Sequence, residues 1–232
     1  MILMNMVTPP PDLAAISALQ SKLVSALRPI LPEHALLWEP EDTIPYECDG
    51  LAAYRRMPLA VALPETEEQV AKILKICYAM QIPVVPRGSG TGLSGGAMPL
   101  SQGLVLSLAK LKKIISIDPF TRTAVVQPGV RNLAISEAVA HLGLYYAPDP
   151  SSQIACSIGG NVNENSGGVH CLKYGLTLHN VLRVRGILMN GEIVEFGGLA
   201  PDAPGLDLLA IMMGSEGMLA VVTEVTVKLV AK

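Results

Sequence analysis

Aromatic residues are scarce in this chain of 232 residues, which has one tryptophan, six tyrosines and two phenylalanines. A core of the size this length permits must therefore be packed by Leu, Ile, Val, Met and Ala. Charge is also low, at 16% of residues against about 25% in ordinary soluble domains. With half the residues apolar, a disordered chain is excluded. A basic excess is missing too. The formal charge of −3 argues against a nucleic-acid footprint, and no nucleic-acid partner is expected.

Uninterrupted apolar runs of membrane-spanning length are absent. The longest uncharged stretch, 88–109, is broken by glycine, serine and a proline, which makes a poor lipid-facing helix. The opening residues MILMNMVTPPP lack a basic segment, so no secretory signal is read there and a cytoplasmic chain is expected. No C-x-x-C pair occurs. Cys48, Cys77, Cys156 and Cys171 are widely spaced and read as free thiols, and His170 beside Cys171 is too little for a metal site.

What is present is an α/β order followed by a β-rich one. Asp12 can cap a helix carrying Leu13, Ile16, Leu19, Leu23 and Leu27, which Pro29 and Pro32 end. Residues 32–57 read as an irregular arm. A strand at 59–63, a helix at 70–80 opened by a Thr66/Gln69 capping box, a strand at 83–85 and a glycine turn at 88–96 make an α/β unit. Strands follow at 104–108, 113–117 and 123–126, then a helix at 132–142 with Gly143 as its C-cap. Residues 148–175 read as a long polar, glycine-rich region. The Asn190-Gly191 turn joins strands 181–188 and 192–196, and 206–213 is predicted helical. In the last strand Leu219, Val221, Val225, Val227 and Leu229 share one face, which Thr223 interrupts, with Glu224 and Lys228 opposite. Two α+β subdomains meeting near residue 110 are expected.

Two segments can carry chemistry. Five glycines in the nine residues 88–96 permit positive φ and close approach, so successive peptide N–H groups can converge on phosphate oxygens. Ser89, Thr91 and Ser94 add hydroxyl donors. No Lys-Ser or Lys-Thr follows, so this is not a P-loop, and no clear helix follows as in a Rossmann fingerprint. The composition also fits a flexible glycine loop. The second segment runs from Pro148-Asp149 through Ser157, Gly159, Gly160, Asn161 and Asn165 to Gly168. Its amides and hydroxyls suit a heterocycle edge with alternating donors and acceptors, and equally a surface loop of Asx turns.

The runs PVVPRGSGTGLSGGAMP, YYAPDPSSQIACSIGGNVNENSGGVHCLKYGLT and GSEGMLAVVTEVTVK resemble the FAD-binding domain of the vanillyl-alcohol-oxidase and cresol-methylhydroxylase type. IPYECDGLAAYR and VQPGVRNLAISEAV extend the likeness to the FAD-carrying subunits of bacterial glycolate oxidases. The resemblance implies an α+β fold of two FAD-binding subdomains, 56–110 and 111–232, preceded by an N-terminal helix and arm, 1–55. The C-terminal substrate-capping half of the family's longer chains is expected to be missing. The pyrophosphate loop falls on Arg87, Gly88, Ser89, Gly90, Thr91, Gly92 and Ser94. The ring is flanked by Pro148, Asp149, Ser157, Gly159, Gly160, Asn161, Asn165 and Gly168, and Gly217 and Val222 approach the adenine end.

Some relatives link flavin through a histidine about where Thr91 stands, and others through a cysteine with which Cys156 is out of register, so non-covalent FAD is expected. Ala220 replaces a usual glycine, and Glu164 stands where many relatives have a small or hydroxyl residue. His170 and Lys173 either steady a substrate carboxylate or the reduced ring, or satisfy nearby backbone and solvent. His34, His141 and His179 read as structural, Arg55, Arg56, Arg183 and Arg185 as solvated or ion-paired, and Met212 and Met213 as core.

The implied activity is FAD-dependent oxidation of a small 2-hydroxy acid, glycolate to glyoxylate, with electrons passed to partner subunits or a quinone. A D-lactate or other D-2-hydroxy-acid dehydrogenase and a non-catalytic FAD-binding assembly module are the alternatives. The implied partners are a second FAD-domain-like subunit and an iron–sulfur subunit, which could hold the chain peripherally at the inner membrane. No catalytic acid or base and no metal ligand is assigned within 1–232, and this part alone is expected to be inactive.

Overall fold

A computed structural model of the protein describes residues 13–200 and 205–232. Asp12, the expected cap of the first helix, lies outside the described residues. Helix α1 (Leu13–Leu27) buries Leu23 and Leu27, while Ile16 and Leu19 pack at the core's edge. Its Gln20 donates to the carbonyls of Trp38 (3.1 Å) and Leu59 (2.8 Å), which anchors the helix to the chain that follows.

The arm is more ordered than its irregular composition suggested. It contains strand β1 (Leu36–Leu37) and helix α2 (Pro40–Thr43), whose proline sits at the first turn, where no N–H is needed. β1 pairs antiparallel with β2 (Ala60–Ala62). Helix α3 (Glu67–Ala79) starts three residues before the first periodic apolar residue, because Thr66 Oγ1 accepts from the Gln69 N–H at 3.2 Å. The Gln69 side chain does not close the box on Thr66 and accepts instead from the Glu65 N–H at 2.7 Å. Strands β3 (Val84–Arg87) and β4 (Leu104–Ser107) complete a sheet of order β1-β2-β4-β3, with β4 parallel to both neighbours.

The rest of the chain builds a second sheet. Strands β5 (Ile114–Asp118) and β6 (Thr123–Val126) are followed by α4 (Asn132–Val139), which ends through one tighter turn at Gly143, φ 67°. After β7 (Leu144–Tyr145), the region expected to be loop contains α5 (Ile158–Glu164) and α6 (Cys171–Tyr174). The hairpin of β8 (Val181–Ile187) and β9 (Ile193–Gly197), helix α7 (Leu208–Met212), strand β10 (Val221–Lys228) and strand β11 (Val230–Ala231) close the chain. The order β5-β6-β10-β8-β9 is antiparallel throughout, and β11 pairs with β7.

β10 differs from its expected one-faced pattern. It is the central strand, it is bulged against β8 between Val222 and Glu224, and Val222 and Thr226 are as buried as Val221 and Val225. Ile187 and Val221 belong to the core of the first sheet, so the two halves share apolar packing. All four cysteines are free, and burial pushes the Cys77 thiol up to about 12. Among the described residues no helix is long and apolar enough to cross a membrane.

Candidate functional site

The glycine segment leaves the carboxyl end of β3, which runs parallel to β4, and open α/β folds place their ligands outside the carboxyl ends of such strands. Facing it is the stretch from Ser152 to Ser166, which includes α5. Between them lies a cleft, partly open to solvent, with Leu108 and Pro128 in its lining and Glu216 and Gly217 closing one side.

In the first wall, Arg87, Gly88, Ser89, Gly90, Thr91 and Gly92 all line the cleft. Among the described residues, no backbone N–H from Ser89 to Leu93 meets a backbone acceptor. Gly90 sits at φ 69°, where a side chain would run into the Arg87 guanidinium. That guanidinium braces the loop from behind. Nη1 donates to the carbonyls of Cys48 (2.7 Å) and Ala97 (3.3 Å), and the group lies 5.7 Å from the centre of the Tyr46 ring. Burial lowers its pKa, and neighbouring Cys48, Asp49 and Tyr46 oppose that shift. Ser94 lies outside the lining, its hydroxyl bonded to both oxygens of Glu164 at 3.0 and 3.2 Å. Glu164 itself lines the cleft.

In the second wall, Ser157, Gly159, Gly160, Asn161 and, from further along the chain, Gly217 line the cleft. Ser157 Oγ is buried without any partner and stands where a side chain on Gly88 would have to go. Gly159 fits against the Pro128 ring, where an added Cβ would come within 2.6 Å of the proline Cβ. Gly217, at φ 77°, passes against the ring of Pro86, and its N–H donates to Asn163 Oδ1 at 2.9 Å.

Asn161 spends its side chain on the protein. Oδ1 accepts from Asn132 Nδ2 at 3.0 Å, and Nδ2 lies 3.3 Å from Cys156 Sγ and 3.4 Å from Ser166 Oγ. Asn132 also donates to the Pro148 carbonyl at 3.0 Å, so one buried amide fixes both ends of this wall. Sequence reasoning missed Asn132; the available signal was a polar side chain in the first turn of an otherwise apolar helix. It left Glu216 unassigned, while Ser152, Asn163 and Ser166, which lie within the second segment it singled out, also line the cleft.

Pro148, Asp149, Asn165, Gly168 and Val222 stand outside the cleft lining. Asp149 Oδ1 accepts from the His170 N–H at 3.0 Å, and Oδ2 lies 2.7 Å from His170 Nδ1. Gly168 is pressed against Asp149, where no side chain fits. Asn165 takes the left-handed conformation that ends α5, and its Oδ1 accepts from the Leu178 N–H at 3.0 Å. The Val222 side chain is buried in the second core, so only its backbone could serve a ligand. The Ala220 methyl faces that core as well. Lys173 Nζ lies over the Tyr174 ring at 4.9 Å. Among the described residues there is no group of three or more His, Cys, Asp or Glu able to hold a metal.

Unpartnered peptide donors on one wall suit phosphate oxygens. An orphaned buried hydroxyl opposite suits the polar edge of a ring, because leaving it unpaired costs about 1–3 kcal/mol. The residues present therefore fit a flavin dinucleotide.

Comparison with known proteins agrees. Residues 58–197 match the family model described as an FAD binding domain. The chain is 60% identical over 213 residues to glycolate oxidase subunit GlcD of Escherichia coli strain K12, an alignment covering 92% of this chain and 43% of that protein. Against GlcD of Bacillus subtilis strain 168 the identity is 48% over 188 residues, covering 81% and 40%. The solved structure of p-cresol methylhydroxylase with substrate bound superposes with a TM-score of 0.78 at 25% identity, over 93% of this chain and 44% of that one. The chain spans less than half the length of the curated relatives it matches. Its α+β architecture is that of the cresol-methylhydroxylase type, as the sequence resemblance implied. The chain belongs to the FAD binding domain family, and FAD is its cofactor.

Proposed function

We propose that this chain is the FAD-carrying part of a 2-hydroxy-acid oxidoreductase whose substrate is glycolate, oxidised to glyoxylate. The observation that carries the reading is the cleft itself, with its row of unpartnered peptide N–H groups opposite the orphaned Ser157 hydroxyl. The identity to proteins named for glycolate oxidation supports the choice of substrate.

In this reading the backbone from Gly88 to Gly92 holds the pyrophosphate without a covalent link. Arg87 shapes that loop through its bonds to Cys48 and Ala97. Ser157 and the backbone of Gly160 meet the ring edge, Gly159 packs the wall against Pro128, and Asn161 and Asn132 fix the wall behind them. Gly217 and the Val222 backbone border the adenine end. Bound flavin supplies the two-electron redox chemistry. The segments 56–110 and 111–232 act as the two FAD-binding subdomains. Asp149 orients His170, and the acid–base work on the substrate falls outside residues 1–232. Electrons pass to a partner, a second FAD-domain-like subunit together with an iron–sulfur subunit, in the cytoplasm or peripherally at the inner membrane.

The test is anaerobic mixing of the FAD-loaded polypeptide that carries this chain with glycolate and, separately, D-lactate. Loss of the flavin's visible absorbance should be faster with glycolate. Faster bleaching by D-lactate overturns the substrate, and no FAD retained overturns the reading.

A further inference from the structure

Behind the glycine loop, on the side away from the cleft, lies the Cys48-Asp49-Gly50 turn of the N-terminal arm. Its shape is fixed locally. Asp49 Oδ1 accepts from the Leu51 N–H at 2.8 Å, an Asx turn, and the Arg56 N–H donates to the Glu47 carbonyl at 2.8 Å. A Cβ built on Gly50 would lie 2.7 Å from the Gly92 carbonyl oxygen and 2.9 Å from that of Thr91. These two carbonyls therefore face the arm. No peptide bond among the described residues is cis, and in a trans peptide the N–H points opposite to the C=O. The N–H groups that follow, those of Gly92 and Leu93, are thereby turned away from the arm. Arg87 completes the brace by joining Cys48 on the arm to Ala97 at the loop's exit.

We propose that the 48–50 turn, through the close approach of Gly50, is a positioning element for FAD: it sets the orientation of the Thr91–Gly92 and Gly92–Leu93 peptides so that both donate to the pyrophosphate. The inference rests on the placement of the pyrophosphate at this loop. It concerns residues that touch no ligand, since Gly50 is exposed and lies outside the cleft lining. Gly50 is outside the left-handed region, so alanine there adds a clash with the loop and no backbone strain of its own.

The test is FAD titration of the apo-protein, read by flavin fluorescence, for wild type, Gly50→Ala and Gly198→Ala. Among the described residues nothing lies within 4 Å of a Cβ built on Gly198, so its variant is the control. Gly50→Ala should raise Kd about tenfold relative to Gly198→Ala. Amide hydrogen exchange adds a second readout. In wild type the Gly92 and Leu93 amides should gain protection on adding FAD, and in Gly50→Ala that gain should be lost. Equal FAD affinity in the two variants overturns the proposal, and so do unprotected Gly92 and Leu93 amides in FAD-loaded wild type. If Gly50→Ala does not fold, the wild-type exchange decides alone. A wild type that binds no FAD instead overturns the placement on which the inference rests.

Discussion

Gly90 shows how much one residue's backbone can decide. At φ 69° it turns the loop over the Arg87 guanidinium, and valine there meets two penalties at once. A β-branched residue in the left-handed region is strained by about 1–3 kcal/mol, and its methyls displace the guanidinium that joins the carbonyls of Cys48 and Ala97. Gly90→Val should therefore weaken FAD binding about 5- to 150-fold, measured by fluorescence titration of the apo-protein. Unchanged affinity in a folded variant would remove this loop from the phosphate site. The glycines of this loop were visible in the sequence because their density has few other uses. The bracing contact of Arg87 was not, because its partner Cys48 lies 39 residues back and is a backbone carbonyl, which no side-chain pattern marks. Ser94 likewise reaches far along the chain, its hydroxyl donating to Glu164 seventy positions on, a contact that no local pattern marks.

At the scale of elements, one carboxylate ties α3 to the second sheet. Glu67, in the first turn of α3, receives Arg185 Nε and Nη2 at 2.9 and 3.0 Å from β8, and the Thr223 hydroxyl at 2.6 Å from β10. Thr223 interrupts an apolar face because it serves this carboxylate, and Arg185 is held rather than solvated, with Glu195 as its second partner at 2.8 Å. Burial raises the Glu67 pKa, but the bonds from Arg185 and Thr223 and the guanidinium charge outweigh it and hold the carboxyl below its ordinary value of 4.5. A depressed folded pKa stabilises the protein above the unfolded value, and that stability is lost as pH falls through the folded one. Glu67→Gln should cost about 1–2 kcal/mol at pH 7, and urea titrations should show the gap to wild type closing as pH drops below about 4. A gap that stays constant with pH would show that the carboxylate charge contributes nothing.

Elements with strong periodic or turn signals, such as α3 and the β8–β9 hairpin, were legible in the sequence. Helix α5 was not, because its Gly159-Gly160 pair and its asparagines carry low helix propensity. It forms because tertiary contacts require it. Gly159 fits against Pro128, the Asn163 side chain bonds the Gly159 carbonyl at 2.8 Å, and Asn165 ends the helix left-handed.

Across the whole molecule the cleft is a seam. One wall hangs from the first sheet and the other from the second, and they meet through Gly88 against Ser157 and Pro86 against Gly217. This is a place where apolar packing gives way to polar edges, and among the described residues Ser157 Oγ finds no protein partner and the N–H groups from Ser89 to Leu93 find no backbone acceptor. A ligand that satisfies both walls stabilises both sheets by mass action, by about 2.7 kcal/mol when free FAD is 100 times Kd. Native-state hydrogen exchange can separate the halves, since Val105 lies in the middle of β4 and Val225 in the middle of β10. FAD should raise the opening free energies of both amides by similar amounts, and Gly90→Val should forfeit most of the gain at the same FAD concentration. Protection that rises at Val105 alone would place the cofactor on the first sheet only and leave the second wall, with its orphaned Ser157 hydroxyl, without a ligand to meet.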